Sequence, residues 1–400
     1  MIEREQYLKK LRLYKDKDLI KVVSGVRRCG KSTILKMFAQ ELLQSGVKQD
    51  QIIQINFENM AYHDLLDHVR LYEYLKNKIH NDKKTYIFLD EVQSVTDFEK
   101  VVDSVYIQKN TDVYITGSNA KFLSKDLATI LTGRYIEIKM LPLSFKEFTS
   151  AFEDKLNINR IYDNYINYGS FPYAVELFKD DPSGVKDYLQ NIYQTIIYKD
   201  IVAREKIKNT LILEDVIKYM FDNIGNITNP KKISDYLTAN YRKVSNHTVE
   251  KYLKSLSDGF ILYPVNRYDL KGKKILQSNK KYYCVDMTFG NLFSDSAKVD
   301  YGKVLENIVF LELLRRYEKI WIGKNKDYEI DFVVKKKDGA LAYYQVSLTV
   351  RDEKTLKRQL RAFDNLDNYE KFLITMDTET NNHNGIIQVN VIDWLLDNQN

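Results

Sequence analysis

Gly25-Val-Arg-Arg-Cys-Gly30-Lys31-Ser32-Thr33 is the stretch of this chain whose residue types and spacing most directly imply chemistry. The pattern G-x-x-x-x-G-K-[ST] makes a loop whose backbone N–H groups can curl around phosphates. It needs a strand before it and a helix after it, because the helix N-terminus adds the positive end of its dipole. Both flanks are present: LIKVVS (19–24) is an apolar run of strand type, and ILKMFAQELL repeats apolar residues at helical spacing. Lys31 is therefore expected to reach the β and γ phosphates of ATP, and the Ser32 hydroxyl to hold Mg²⁺. Gly25, Arg28, Cys29, Gly30 and Thr33 complete the expected nucleotide cradle. The competing reading is a chance glycine turn before a helix, which the flanking elements disfavour.

Phosphoryl chemistry also needs an acid for the metal and a group to polarise water. TYIFLDEVQ (85–93) is an apolar strand ending in two carboxylates. Asp90 is expected to hold Mg²⁺ through water and Glu91 to polarise the attacking water, which points to hydrolysis as well as binding. A strand that simply ends in a solvated acidic turn is the plainer alternative. Another strand, IIQINF (52–57), lies between the two motifs, an order found in P-loop proteins of AAA type. After a helix over 97–109 comes DVYITGSNA (112–120), whose polar Thr116, Ser118 and Asn119 can either touch the γ-phosphate or cap the next helix; Asn119 is the catalytic candidate. A helix is expected to run to Leu131, and YIEIKM (135–140) closes the sheet. Arg134, between that helix and that strand, is read as an arginine that stabilises transition-state charge on a neighbouring subunit's nucleotide. The alternative is a cation satisfying a helix C-terminus.

The rest of the composition narrows the class. Four hundred residues exceed one core, so several domains are expected. No apolar stretch reaches membrane-span length, and the charged N-terminus MIEREQYLKKLRLYKDKD lacks a secretory signal pattern, so a cytoplasmic location without membrane contact is expected. Cys29 and Cys284 cannot build a disulfide framework, and the five histidines show no zinc spacing. A net charge of +6 permits an anionic partner without requiring one.

The sequence resembles the prokaryotic AAA-like P-loop ATPases that carry a C-terminal nuclease-like domain of uncharacterised function, a family related to signalling-type STAND ATPases. The resemblance rests on GVRRCGKST, YIFLDEVQ, YITGSNA, LTGRYIEI, LPLSFKEF, YGSFPYAV, IIYKDIVAR, LENIVFLELLRR, YEIDFVV and YYQVS, which together span the chain. It implies ATP and Mg²⁺ as cofactors and a homo-oligomer. It also implies a lid whose Gly-x-Pro motif contacts the nucleotide base. Here Ser170 stands in place of that glycine and Pro172 is the base-packing candidate.

Residues 144–210 show helical periodicity with many aromatics and read as that lid. Residues 211–283 then give three short helices and a hairpin, the winged-helix order. Its third helix would present His247, Lys251 and Lys254, and its wing tip Lys273, to the phosphates of double-stranded DNA. A winged helix that makes only protein contacts is equally compatible. In 284–400 the order is helix, strand hairpin, strand, helix, strand. Glu306 on the helix, Asp331 on a strand and Gln345 on the next match the acids and (E/Q)-x-Lys strand of PD-(D/E)XK nucleases, but Ser347 stands where the lysine belongs. Lys354, Lys357 and Arg358 could substitute; a vestigial nuclease site is the preferred reading.

The expected fold is therefore α/β: a P-loop AAA-like ATPase core (1–143), a helical lid (144–210), a winged helix (211–283) and a restriction-endonuclease-like α/β domain (284–400). The expected activity is Mg²⁺-dependent ATP hydrolysis in a DNA-associated protein. Two rival readings stay open: a nucleotide-gated oligomerising switch in signalling or defence that never touches nucleic acid, and an active Mg²⁺ nuclease.

Overall fold

The computed structural model describes residues 2–120, 131, 133–152, 157–292 and 300–397. The expected helix ending at Leu131 lies mostly outside those residues. Two compact units are present, one formed by Met1–Pro142 with Asp258–Phe260, the other by Leu143–Ser257 with Ile261–Asn400.

In the first unit, α1 (Glu5–Tyr14) precedes β1 (Ile20–Ser24), and α2 (Lys31–Gln44) follows the glycine loop. Then come β2 (Ile52–Asn56), α3 (His68–Lys76), β3 (Thr85–Asp90), α4 (Phe98–Tyr106), β4 (Thr111–Gly117) and β5 (Tyr135–Lys139). The five strands are parallel in the order β2-β3-β4-β1-β5. Both faces are covered, which is why IKVVS and TYIFLD are apolar almost without interruption and fully buried. Alternation along the strands sorts the side chains. Ile87, Leu89, Val113 and Ile115 pack with Leu71 of α3 and Val101 and Val105 of α4. Phe88 and Tyr114 point the other way and stack at 4.8 Å, with Phe38 of α2 5.4 Å from Tyr114. The same alternation sends Asp90 and Thr116 to the α2 side, where the glycine loop lies.

At the amino ends of β1 and β4, Lys21 and Asp112 form a fully buried ion pair. Tyr114 Oη donates to Asp112 at 2.8 Å, the Asp16 N–H at 2.9 Å, and Lys21 donates to the Lys17 carbonyl at 2.9 Å. Burial pushes the Lys21 ammonium below its ordinary range while Asp112 opposes the shift.

The second unit begins with the helices α5 (Phe145–Thr149), α6 (Ile158–Tyr168), α7 (Pro172–Asp180) and α8 (Gly184–Thr195). A π-helical stretch, Ile196–Ala203, buries Asp200. The helices α9 (Thr210–Asp222), α10 (Pro230–Asn240) and α11 (Asn246–Asp258) lead into the hairpin β6 (Leu262–Asp269) and β7 (Lys274–Cys284). After α12 (Tyr301–Arg316) come β8 (Lys319–Asn325), β9 (Tyr328–Lys335), β10 (Leu341–Ser347), α13 (Glu353–Arg361), β11 (Glu370–Thr375), β12 (Asn381–His383), β13 (Ile386–Asn390) and α14 (Val391–Leu396).

A boundary at 283/284 does not match the sheet. β6 and β7 are outer strands of one eight-stranded sheet, β12-β13-β11-β10-β9-β8-β6-β7, because β6 pairs in parallel with β8 through Arg267–Asp269. Asn307 of α12 completes the join: its side chain accepts from Cys284 N–H at 2.9 Å and donates to Cys284 C=O at 3.0 Å. The sequence pattern of a hairpin closing a helical module does not reveal that its free edge is satisfied by a strand some fifty residues later.

Ser170 also has a definite partner. Its N–H and hydroxyl donate to Asp286 Oδ2 at 2.7 and 2.6 Å, while Thr288 donates twice to Oδ1. Gly169, at φ +78°, passes so close that a Cβ there would meet Thr288 Oγ1 at 2.9 Å and Asp286 Oδ2 at 3.0 Å. Gly169→Ala is therefore expected to lower stability by about 1–3 kcal/mol through strain and crowding together. The midpoint of denaturant unfolding checks this, and an unchanged midpoint would contradict it.

Candidate active site

The glycine loop runs from the carboxyl end of β1 into α2, and its shape follows from its glycines. A Cβ on Gly25 would sit 2.1 Å from the Met140 carbonyl oxygen, so only glycine lets β1 leave the sheet beside the end of β5. Gly30, in the left-handed region at φ 105°, is the N-cap of α2. Arg28 is likewise left-handed and exposed, and Thr33 is exposed. Cys29 points inward with a fully buried thiol, pushed above its ordinary range by burial. Its side chain thus lines the core, and only its backbone faces the loop.

Lys31 is buried and donates to the carbonyls of Gly25 at 3.0 Å and Val26 at 3.1 Å, with Glu91 Oε1 3.6 Å away. The Ser32 hydroxyl lies near enough to Asp90 to favour its charged form. Thr116 Oγ1 donates to Asp90 Oδ1 at 2.6 Å and accepts from the Glu91 N–H at 2.8 Å. Asn56, level with Asp90 on the adjacent β2, donates to Asp90 Oδ2 at 2.9 Å. Burial pushes Asp90 above the usual carboxylate range, and the Thr116 and Ser32 hydroxyls pull it back. Glu91 stands in the left-handed region at φ 54°, ψ 45°, and its Oε2 accepts from Ser118 at 3.0 Å and from Gln93 at 2.5 Å. Strained backbone at such a position is common where a side chain must be aimed. Asn119 is buried beside these residues in sequence, but Thr116 and Ser118 make the direct contacts to the acidic pair.

The donor set fits a metal–nucleotide complex. A hydroxyl and a buried carboxylate already face each other, an ammonium lies in the loop, and a second carboxylate stands next along the chain. Arg134 is brought to a different place: it pairs with Asp103 and lies over the Tyr106 ring at 5.9 Å. Pro172 opens α7 in the second unit.

Sequence reasoning missed two supports of the loop. Arg4 is buried and donates to the carbonyls of Cys29 at 3.0 Å and Leu141 at 2.8 Å, bracing the loop against the end of β5. Asn56 is the other; its position at the end of a strand level with Asp90 was the available signal.

In the second unit Glu306, Asp331 and Gln345 do come together. The Gln345 side chain accepts from the Asp331 N–H at 3.2 Å, and Val346 N–H donates to Asp331 Oδ2 at 2.8 Å. Ser347 turns away and donates to the Thr349 carbonyl at 3.1 Å. The cluster nevertheless holds a lysine. Lys281 of β7 lies 3.0 Å from Glu306, 2.7 Å from Glu329 and 3.8 Å from Asp331, and Tyr283 donates to Glu306 at 2.7 Å. Lys354, Lys357 and Arg358 are exposed on α13, Lys357 pairing with Glu353. Among the described residues no group of three or more His, Cys, Asp or Glu side chains is arranged to hold a metal ion.

His247, Lys251 and Lys254 are exposed on α11, and Lys273 is exposed on the β6–β7 turn. Among the described residues no helix is long and apolar enough to cross a membrane.

The parallel sheet, the glycine loop on its β1 and the acidic pair on its β3 define an AAA-type P-loop fold. Residues 17–149 match the family model described as an AAA domain, and 159–297 match a domain of unknown function. The chain belongs to the same family as an uncharacterized protein of Haemophilus influenzae, to which it is 40% identical over 99% of both chains. It is 30% identical to an uncharacterized protein of Methanocaldococcus jannaschii, over 90% of this chain and 82% of that one. Among solved structures, the Walker-type ATPase of Pyrococcus abyssi is similar in fold, with a TM-score of 0.52 at 16% identity, covering 73% of this chain and 95% of the other.

The lysine-centred cluster generates a pH prediction. Burial and the neighbouring Glu306 carboxylate push Asp331 up to about 7, against the pull of Lys281. The folded protein therefore keeps a proton that the unfolded chain has released, and this contribution to stability is full below pH 3.8 and lost as pH rises through about 7. Asp331→Asn should flatten that decline in thermal unfolding between pH 4 and 7, roughly the interval between the two values. An identical pH profile for the variant would refute it.

Proposed function

We propose that the chain is a Mg²⁺-dependent ATPase whose nucleotide state is passed to the second unit, and that duplex DNA is its partner. The observation that carries the ATPase reading is the buried Asp90, held by Thr116 and Asn56, with Lys31 3.6 Å from Glu91 and Glu91 held by Ser118 and Gln93 beside it. Backbone N–H groups from Gly25 to Thr33 and the N-terminus of α2 take the phosphates. Lys31 leaves the Gly25 and Val26 carbonyls for the β and γ oxygens. Ser32 and Asp90 hold Mg²⁺, and Glu91 orients the attacking water, with Asn119 near the γ-phosphate. When Mg²⁺ is bound it neutralises charge on the phosphate oxygens.

Arg134 completes the site of a neighbouring subunit in a homo-oligomer after parting from Asp103, and Pro172 packs on the base. The exposed cations of α11, joined by Lys273, support the duplex reading, with salt-sensitive and sequence-independent binding. Cleavage by the Glu306–Asp331 cluster is not part of this function, since the Lys281 ammonium occupies the point where its carboxylates converge.

Lys31→Ala should abolish ATP binding or turnover, whereas Glu91→Gln should retain ATP and lose turnover by about 100-fold or more. Equilibrium nucleotide binding and phosphate release measured together decide this; wild-type turnover in Lys31→Ala would sink the assignment. Arg134→Ala should lower turnover with little loss of ATP affinity, and mixing it with Lys31→Ala should restore some activity. Absence of rescue in an oligomer that exchanges subunits would leave Arg134 as a partner of Asp103 only.

A further inference from the structure

On the face of the eight-stranded sheet that α13 partly covers lies a second feature, unrelated to the ATP site. Trp321 of β8 and Tyr343 of β10 stand either side of Val333 in the same cross-strand row. Tyr268 of β6 stacks on Trp321 at 5.3 Å and 29°, and Tyr369, before β11, meets Tyr343 edge-on at 6.2 Å. Leu356 and Leu360 of α13 pack against the same cluster as Trp321 and Tyr343. A cavity of about 260 Å³ remains, lined by these aromatics, with Lys273 of the β6–β7 turn and Lys335 at the end of β9 among its lining residues.

The cavity opens to solvent between exposed Lys273 and Tyr369, so a ligand can reach its wall. Aromatic faces with a gap beside them accept a flat, polarisable ring. Charge then separates two classes of flat or cationic ligand. A quaternary ammonium, the usual guest of aromatic cages, would be repelled by Lys273 and Lys335. Neither lysine has an ion-pair partner among the described residues, and together they outnumber the one lining acid, Asp367. Aromatic stacking combined with unpaired lysines is the chemistry that holds unpaired nucleotides, because every base offers a π-face and every nucleotide a phosphate.

We propose that this cavity binds the base of an unpaired nucleotide, stacked on the half-buried Tyr268–Trp321 pair above the buried Tyr343 and covered by Tyr369, with its phosphate on Lys273 and Lys335. A duplex keeps its bases stacked inside and cannot enter. The site is distinct from the ATP site and shares only Lys273 with the proposed duplex surface.

The chain has two tryptophans, Trp321 and Trp394. In full-length Trp394→Phe protein the remaining indole reports on the cavity directly. Oligothymidylate of about 12 nucleotides should quench it saturably. A blunt duplex of equal length should not. Thymidine monophosphate alone reaching the same quench would assign the site to free nucleotides, and quenching only by the oligomer would assign it to a strand. Tyr369→Ala, at an exposed position, should weaken binding by roughly five-fold or more, and the Lys273→Glu, Lys335→Glu double variant should weaken it and flatten its salt dependence. ATP turnover should stay at the parent level in Tyr369→Ala. Anisotropy of a labelled strand with otherwise unaltered protein provides a second readout. No quench by strand or monophosphate, equal quench by duplex, or unchanged affinity in Tyr369→Ala would each overturn the proposal.

Discussion

One hydroxyl organises the carboxyl end of the first sheet. Thr116 donates to the Asp90 carboxylate and accepts from the Glu91 backbone, so it holds the last residue of one strand and the first residue beyond it. That contact exists only while β3 and β4 keep their register, with Leu89 opposite Ile115. A shift of one residue would turn Thr116 toward α3 and α4 and put Ile115 among the acids. The apolar packing of Ile87, Leu89, Val113 and Ile115 therefore does more than stabilise a core. It chooses which face receives the carboxylates, and the Ser32 hydroxyl, the Lys31 ammonium and Asn56 are placed relative to them.

Much of this could be read from the chain because its signals are local. A glycine loop between an apolar strand and an amphipathic helix needs nothing distant to be recognised, nor does an apolar strand ending in two acids. Arg4 was hidden for the opposite reason. It lies in a helix-forming, highly charged segment that reads as solvated surface, and its role depends on the Cys29 and Leu141 carbonyls arriving beside it. Cys29 was read as part of the cradle from its position, yet its thiol faces the core. Lys281 shows the same limit more strongly. Its neighbour in sequence is another lysine, and only the pairing of β6 with β8 brings it to Glu306, Glu329 and Asp331.

Lys281 also changes the physical meaning of those acids. Carboxylates that converge with no cation either protonate or spread apart. Here the ammonium, itself buried, supplies the opposite charge to Glu306 and Glu329 from within the fold. Asp331 is the acid that burial and Glu306 push toward keeping its proton, and Tyr283 supplies a further hydrogen bond to Glu306. Taking away either sign would strand the other in a poorly solvated place, which is far costlier than the pair is favourable. The resemblance to a hydrolytic centre in residue types thus coexists with the electrostatics of a closed internal salt bridge.

The parallel pairing of β6 with β8 carries a consequence for how the second unit can move. A wing that ends a free helical module can tilt on its own linker when it meets a ligand. This hairpin shares backbone hydrogen bonds with the strands beyond it, and Asn307 clamps its last residue on both its N–H and its C=O. Any force applied at the Lys273 turn is borne by the whole sheet, as a lever is borne by the beam into which it is built, so strain there would be felt at β10 and β11 before the hairpin could come away by itself.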